Sequence, residues 1–317
     1  MTSLPTAFEP TSLRAGRKGP VIGLALGGGA ARGWAHLGVL RALAKEGIEP
    51  QVVAGCSIGA FVGAAFAAGD LPKLTDWARA LKWQDVVSLL DVSLRGGLIR
   101  GQKLIQFFER NFVDRDFSEL ELPFACVATE LETGREFWLR EGSVSKAVRA
   151  SIALPGLLAP IVHQGRLLVD GGLVNPVPVS LCRALGADVV IAVDLGSDVV
   201  GRSWHHSPAE QERGVGWTER LLGRLGFLGN GASGNGQTSV GEPNLPSLLT
   251  VLTSSINIMQ VRIARSRLAG EPADVQLSPR LGHLGPMDFH RAEEAIIEGE
   301  AAVERMISAL RHGLGRL

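Results

Sequence analysis

Four short, continuous apolar runs punctuate the chain, and each ends at glycine or at polar residues. Such runs are typical of strands that are buried on both faces of a sheet. They lie at residues 21–26, 51–54, 123–129 and 188–195. After the first run come a glycine-rich loop and a segment, 34–46, whose apolar residues have helical spacing. The first third of the chain therefore predicts a β-α-β-α succession, which is typical of a parallel sheet covered by helices.

Periodicity predicts the other elements around this sheet. Helices are predicted at residues 60–69, 71–90, 101–112, 143–154, 179–185, 248–268 and 289–310. Shorter strands are predicted at 135–140, in two pieces within 161–169, and at 273–277. The expected fold class is α/β.

Two stretches lack such periodicity. Residues 1–19 predict a disordered N-terminal tail, since they contain no apolar core. Residues 196–246 are rich in glycine and serine and predict a flexible insert of the kind that serves as a lid or binding loop. Within the insert, residues 218–228 have the spacing of a short amphipathic helix. We expect residues 20–317 to form a single domain that carries this insert.

A G-x-S-x-G sequence with Ser57 at its centre stands between the second strand and the next helix. This is the context of a nucleophile elbow, in which a serine occupies a sharp strand-to-helix turn. Gly55 and Gly59 leave space that a Cβ would fill, and the helix N-terminus stabilises developing negative charge. The alternative is a turn without chemistry, because the pattern arises readily in a chain with 40 glycines.

The glycine-rich loop at residues 27–33 reads G-G-G-A-A-R-G. It is not a Walker loop, which would end in Gly-Lys-Ser or Gly-Lys-Thr. It also fits the dinucleotide pattern G-x-G-x-x-G in neither frame, because Arg32 or Ala30 occupies a glycine position. The loop and the serine turn both follow parallel strands, at the edge where ligands bind. This placement favours an oxyanion hole of backbone N–H groups, with a packing turn as the alternative.

A serine nucleophile needs a base that takes its proton. His283 is the histidine candidate, because it follows the serine and lies on a predicted loop near the end of the chain. His36 is expected to pack or cap within its helix, and His205 and His206 to be solvated. The other candidate is Asp170, which ends a predicted strand and precedes two glycines. A carboxylate in a partly dry site has a raised pKa and serves as a base, although Asp-Gly-Gly also suits an Asx turn.

Composition narrows the class of protein. The formal net charge is zero, aromatic residues make up 5% and tyrosine is absent, which argues against a nucleic-acid partner. The three cysteines are far apart without metal-ligand spacing, so we expect them to be buried and reduced, as in a cytoplasmic protein. Neither a secretory signal nor an apolar run of membrane-spanning length is evident.

Three motifs in this order resemble the patatin-like phospholipase family. They are the loop G-G-G-A-A-R-G at 27–33, the turn G-C-S-I-G at 55–59 and the D-G-G box at 170–172. The flanking sequences G-W-A-H-L-G-V-L-R-A-L and L-V-N-P-V-P-V-S-L-C-R-A-L-G-A-D resemble the bacterial branch related to neuropathy target esterase. The resemblance covers residues 20–195. Ala30 departs from the family pattern, which has glycine there, but alanine still offers an N–H group.

This resemblance implies a three-layer sandwich with a mostly parallel central sheet and a Ser–Asp dyad. Ser57 would be the nucleophile and Asp170 the base. The N–H groups of Gly28, Gly29 and Ala30 would form the oxyanion hole, and Arg32 with Gly33 would position that loop. The family needs no metal or cofactor for the dyad. Its substrates are phospholipids, lysophospholipids and other acyl esters, so we expect peripheral contact with the inner membrane face.

Two other classes of function remain open from the sequence. The first is a catalytically silent lipid- or partner-binding protein of the same fold, against which the intact dyad argues. The second is a nucleotide-binding Rossmann protein, built on the glycine loop alone. That protein would need an acidic ribose ligand about 20 residues further on, and Glu46 and Glu49 do not stand cleanly at a strand end.

Overall fold

The computed structural model describes residues 19–89, 101–112, 115–198 and 248–315. The predicted tail, 1–19, and the predicted insert, 196–246, lie almost entirely outside these ranges, as does the short helix predicted at 218–228.

Eight strands in the described residues form one sheet. They are β1 (Ile22–Leu26), β2 (Val52–Cys56), β3 (Phe124–Glu130), β4 (Glu136–Leu139), β5 (Ile161–His163), β6 (Arg166–Asp170), β7 (Val189–Val193) and β8 (Val275–Leu277). The strand order is β5-β6-β3-β2-β1-β7-β8, and β4 pairs with β3. Within the run β3-β2-β1-β7-β8, each strand pairs in parallel with its neighbours. β4 and β6 run antiparallel to β3, and β5 antiparallel to β6. The prediction of a mostly parallel sheet is confirmed.

Ten α-helices in the described residues surround this sheet. They are α1 (Ala35–Lys45), α2 (Ile58–Ala67), α3 (Leu71–Ala80), α4 (Trp83–Leu89), α5 (Gln102–Asn111), α6 (Val144–Ser151), α7 (Val179–Ala184), α8 (Leu248–Gly270), α9 (Ala292–Arg305) and α10 (Ile307–Gly313). Short 3-10 helices lie at Ala30–Trp34, Phe117–Glu119, Gly171–Leu173 and Phe289–Arg291.

The prediction of one helix over 71–90 is wrong, because α3 and α4 are separate. Leu81 has extended backbone, with φ −59° and ψ 122°, and ends α3. The Asp85 carboxylate accepts a hydrogen bond from the Lys82 N–H at 2.9 Å and caps the start of α4. Apolar periodicity continues across so short a break and does not reveal it.

The single helix predicted over 289–310 is also wrong. A 3-10 turn, Phe289–Arg291, precedes α9, and Met306 separates α9 from α10 with φ −109° and ψ 8°. The two helices keep their apolar faces on the same core, and for this reason the pattern looks continuous.

The fold is a three-layer α/β sandwich, because alternate side chains of the strands enter two cores. In β1, Leu24 and Leu26 pack towards the layer that contains α1, α2 and α9. Ala25 points the other way, into a smaller core with Leu181 of α7 and Ala264 of α8. The helix α8 therefore lies on the α7 side of the sheet, and α9 lies in the opposite layer.

Candidate active site

The turn between β2 and α2 holds Ser57 in a conformation that L-residues rarely adopt, with φ 54° and ψ −123°. Both flanking glycines are required by close contacts. A Cβ on Gly55 would lie 2.7 Å from the Ala60 nitrogen, and a Cβ on Gly59 would overlap the Leu26 carbonyl. The backbone strain at the serine is thus maintained by packing that only glycine permits.

Asp170 lies at the end of β6, and its carboxylate contacts the serine. Ser57 Oγ donates a hydrogen bond to Asp170 Oδ2 at 2.6 Å, and the Gly172 N–H donates to Oδ1 at 2.7 Å. Asp170 is only 1% exposed, and this burial raises the pKa of its carboxyl to about 6. The bonds from Ser57 and Gly172 oppose the shift, because they stabilise the charged form.

Strand register explains how two residues so distant in sequence meet. Cys56, the residue before the serine, lies opposite Val127 of β3, and Asp170 lies opposite the next residue, Ala128. Since β2 and β6 end at neighbouring positions of β3, their last residues come together. Thr129 supports this junction by donating a hydrogen bond from Oγ1 to the Asp170 carbonyl at 2.8 Å.

The glycine-rich loop lies against the serine. A Cβ on Gly28 would lie 3.5 Å from Ser57 Cβ, an ordinary van der Waals distance that places the loop directly beside the serine. The Gly28 N–H, which we expected to donate to an oxyanion, donates in this structure to the Pro176 carbonyl at 2.9 Å. Ala30 has φ 52°, the left-handed conformation that glycine adopts more easily.

The Arg32 side chain links this loop to α8 through hydrogen bonds. The buried guanidinium, 4% exposed, donates from Nε to the Gly29 carbonyl at 3.1 Å and from one terminal nitrogen to Asn257 Oδ1 at 3.1 Å. Burial lowers the pKa of Arg32 to about 10, and the Asp194 carboxylate opposes this shift. The side chain remains cationic at neutral pH. Gly33, the other residue expected to position the loop, packs so closely on Ile58 that a Cβ would overlap it.

A small, partly open cleft lies beside the loop. Its lining combines the loop with the end of β7 and the inner face of α8. The loop contributes Gly29 and Arg32, and α8 contributes Asn257, Gln260, Val261 and Ala264.

Sequence reasoning did not find two residues that hold the site. The fully buried Ser151, at the end of α6, accepts a hydrogen bond from the Ser57 N–H at 2.9 Å. Asn257 of α8 accepts the bond from Arg32 described above. Neither residue belongs to a recognisable motif, and only the fold brings them to the loop and the elbow.

Neither His283 nor His36 hydrogen-bonds to Ser57 or Asp170. His283 Nε2 lies 3.5 Å from the Glu294 carboxylate, and about half of each side chain is exposed. His36 is fully buried with Nε2 2.8 Å from the Gly27 carbonyl, which agrees with a packing role. Burial lowers the pKa of His36 to about 4, so it is neutral at physiological pH. His205 and His206 lie outside the described residues.

The described residues offer no cluster of three or more His, Cys, Asp or Glu side chains that could hold a metal ion. The three cysteines are buried and not disulfide-bonded. Within the same ranges, no helix has the length and apolar character needed to cross a bilayer.

Comparison with known proteins shows which family this chain belongs to. The family model described as patatin-like phospholipase matches residues 24–183. NTE family proteins of Mycobacterium tuberculosis and Mycobacterium bovis are 31% identical over 345 residues, which cover 95% of this chain and 95% of each relative.

Two eukaryotic relatives are matched over a smaller share of their length. A lysophospholipase of Emericella nidulans is 36% identical over 62% of this chain and 13% of its own length. The mouse patatin-like phospholipase domain-containing protein 6 is 37% identical over 56% of this chain and 14% of its own length. This chain thus corresponds to a small part of each of these two proteins.

Among solved structures, VipD from Legionella pneumophila has the same fold, with a TM-score of 0.53 and 15% identity over 92% of this chain and 67% of that chain. From the family model and the mycobacterial relatives it follows that this chain belongs to the patatin-like phospholipase family, in the branch of the NTE family proteins.

Proposed function

We propose that this protein is a serine esterase that hydrolyses carboxylic esters of lipids through Ser57 and Asp170. The observation that carries the proposal is the 2.6 Å hydrogen bond from Ser57 Oγ to Asp170 Oδ2. A hydroxyl that donates to a buried carboxylate has its base in contact, and the strained turn presents it at the end of the strand. No histidine is needed in this arrangement.

In the first half-reaction, Ser57 Oγ attacks the ester carbonyl carbon while its proton passes to Asp170 Oδ2. The raised pKa of Asp170, about 6, suits this transfer, because the carboxylate is ionised at neutral pH yet more basic than an exposed one. Collapse of the tetrahedral intermediate breaks the bond to the alcohol, which takes the proton from Asp170. An acyl-enzyme on Ser57 remains.

The negative charge of the tetrahedral intermediate would lie against the glycine-rich loop. With the Gly28 N–H donated to Pro176, we assign the oxyanion donors to Gly29 and Ala30. The N-terminus of α2, which begins directly after Ser57, adds a favourable partial charge. Arg32 acts on the donors indirectly, by holding the Gly29 carbonyl.

In the second half-reaction, water attacks the acyl carbonyl and gives a proton to Asp170. Collapse of the second intermediate releases the fatty acid and returns the proton to Ser57 Oγ. The cycle consumes one water and one ester, and it needs neither a metal ion nor an organic cofactor.

The substrate class is inferred from the relatives. A lysophospholipase and a patatin-like phospholipase domain-containing protein share 36% and 37% identity with this chain, over 62% and 56% of its length. We therefore propose lysophospholipids, phospholipids or other acyl esters as substrates.

The test is labelling of the purified protein with a fluorophosphonate probe, beside hydrolysis of a short-chain soluble ester. We expect the wild type to be labelled and active, and Ser57→Ala and Asp170→Asn to lose at least about a hundredfold in both measurements. His283→Ala serves as the control and should behave as the wild type. Thermal melts establish that each variant is folded.

Two results would contradict the proposal. Labelling that survives in Asp170→Asn would mean that another group acts as the base. A folded wild type that takes no label and hydrolyses no ester would favour a catalytically silent lipid-binding protein instead.

A further inference from the structure

We propose that the outer face of α8 is a docking surface for an anionic phospholipid membrane. The inference rests on the proposed function, because it names the surface on which that site meets its substrate. We call this face the α8 stripe and define it as Val251, Leu252, Ser255, Ile258, Met259 and Arg262.

The α8 stripe exposes large apolar side chains at helical spacing. Val251, Leu252, Ile258 and Met259 are 45–50% exposed, whereas the large apolar side chains of a stable core are covered. At 100° per residue these four positions and Ser255 fall on one side of the helix. Arg262 continues the same side one turn later and is also exposed. An apolar stripe that passes into a cation suits the boundary between acyl chains and headgroups.

Charge selects an anionic surface as the partner. The 23 residues of α8 include three arginines and no aspartate or glutamate. Arg267 is engaged within the protein, since it pairs with Glu136 at 2.9 Å. Arg265 donates to the Ser197 carbonyl at 3.4 Å and interacts with the Asp194 carboxylate, so Arg262 is the arginine that the α8 stripe itself presents. Basic residues beside an apolar stripe add electrostatic attraction to acidic headgroups.

The opposite face of α8 reaches the candidate active site. Asn257 accepts a hydrogen bond from Arg32. The side-chain amide of Gln260 lies so close to Gly172 that a Cβ on this glycine would overlap it. Val261 and Ala264 continue this inner face and line the same cleft. A membrane on the outer face would therefore lie about one helix diameter, ~10 Å, from the loop and the D-G-G box.

This arrangement favours a lipid surface over a protein partner. The four apolar side chains form a narrow stripe on a single helix, whereas a docked helix or strand binds in a groove formed by several elements. A membrane needs no such groove, and it is the phase in which lipid esters are found. A second copy of this chain is the competing occupant, and the experiment below distinguishes it.

The experiment measures vesicle binding independently of turnover. Full-length protein carrying Ser57→Ala is mixed with vesicles of pure phosphatidylcholine or of phosphatidylcholine with 30% phosphatidylserine, at about 0.1 M salt, and bound protein is separated by flotation. We expect the anionic vesicles to bind at least about tenfold more tightly. Adding Ile258→Glu and Met259→Glu should reduce that binding at least about tenfold, and Arg262→Glu should reduce the preference for phosphatidylserine.

The matched control is Ile297→Glu. Ile297 is 57% exposed on α9, in the opposite layer, so the same change in charge should leave binding unaltered. The activity control is made in protein that keeps Ser57. There, the Ile258→Glu, Met259→Glu variant should hydrolyse a soluble ester within about twofold of the wild-type rate, which shows that the fold and the site are intact.

Three outcomes would overturn the docking surface. In the first, the Ile258→Glu, Met259→Glu variant binds anionic vesicles as tightly as the protein without these two changes. In the second, the protein binds both vesicle compositions equally. In the third, the protein binds no vesicles but is a dimer in solution, and the double variant is a monomer. Because flotation uses a protein without its nucleophile, a failure of the esterase proposal would leave this result readable, and the reverse also holds.

Discussion

At the scale of residues, the burial of Asp170, the base that we propose for Ser57, makes its carboxylate more basic at a cost in stability. Its carboxyl is 1% exposed, and burial raises its pKa from 3.8 to about 6 in the folded protein. A group whose pKa is higher in the folded state binds its proton more tightly there. Its contribution to stability is therefore present below about pH 4 and is lost as the pH rises through about 6. At neutral pH the protein bears the cost of a buried charge.

This cost predicts that Asp170→Asn is more stable than the wild type at pH 8. A shift of about two pKa units corresponds to up to about 3 kcal/mol of unfolding free energy, and the advantage should shrink towards pH 4. Urea unfolding of both proteins at pH 4.5 and pH 8 measures it. A difference that does not grow with pH would contradict the assignment of the buried charge.

The same pKa predicts the pH dependence of the wild type. The second-order rate constant for ester hydrolysis, kcat/KM, should fall below about pH 6, where Asp170 becomes protonated and cannot take the serine proton. A profile that is flat between pH 5 and pH 8 would exclude Asp170 as the base. Linear production of acid over the assay, measured at each pH, controls for loss of the enzyme.

At the scale of elements, α8 connects the site to a part of the chain that carries no motif. Its Asn257 accepts a hydrogen bond from Arg32, and Arg32 holds the Gly29 carbonyl of the loop. Through these two hydrogen bonds, α8 is connected to the part of the loop whose Gly29 and Ala30 N–H groups we propose as oxyanion donors. Asn257 is in this sense a positioning residue.

We expect Asn257→Ala to lower kcat for a soluble ester about tenfold, with KM nearly unchanged, because the loosened loop stabilises the transition state less. Asn257→Asp keeps an acceptor oxygen for Arg32 and should retain kcat close to wild type. Ser255→Ala, on the exposed face of the same helix, is the control for a general effect on α8. Equal losses in the Ala and Asp variants would mean that Asn257 serves only the packing of the helix.

At the scale of the whole molecule, the layer opposite α8 closes through a tight contact between α1 and α9. Gly38 of α1 lies against the Ile296 carbonyl, and Gly299 of α9 lies against the Ala35 carbonyl, so that a Cβ on either glycine would overlap backbone. Since α1 follows the glycine-rich loop directly, this contact fixes the helix from which the loop emerges. Packing between α1 and α9, away from Ser57, therefore helps to hold the glycine-rich loop in position beside the serine.

Gly38→Ala should destabilise the protein by about 2–3 kcal/mol, because overpacking must push the two helices apart. Gly270→Ala is the matched control, since a Cβ at this helical position meets nothing within 4 Å. It should be neutral or slightly stabilising. Urea unfolding midpoints of the two variants check this, and similar midpoints would mean that the α1–α9 contact adapts freely.

The sequence alone determined the fold class, the order of the main elements and the three motifs. Continuous apolar runs specify buried strands, and glycines mark the turns where backbone approaches backbone, as at Gly55 and Gly59. These features depend on residues close together in the chain, so a local pattern records them. The breaks at Leu81 and Met306 were not predicted, because each helix pair keeps one apolar face on the core.

Only the tertiary structure decided which groups meet. Ser57 and Asp170 are 113 residues apart and are brought together by the register of β2 and β6 on β3. The donation of the Gly28 N–H to Pro176, the support of Ser57 by Ser151 and the contact of Asn257 with Arg32 also join distant segments. Burial of Asp170, which raises its pKa, is likewise a property of the assembled layers. Such contacts depend on how elements pack in space, which no local pattern of residues records.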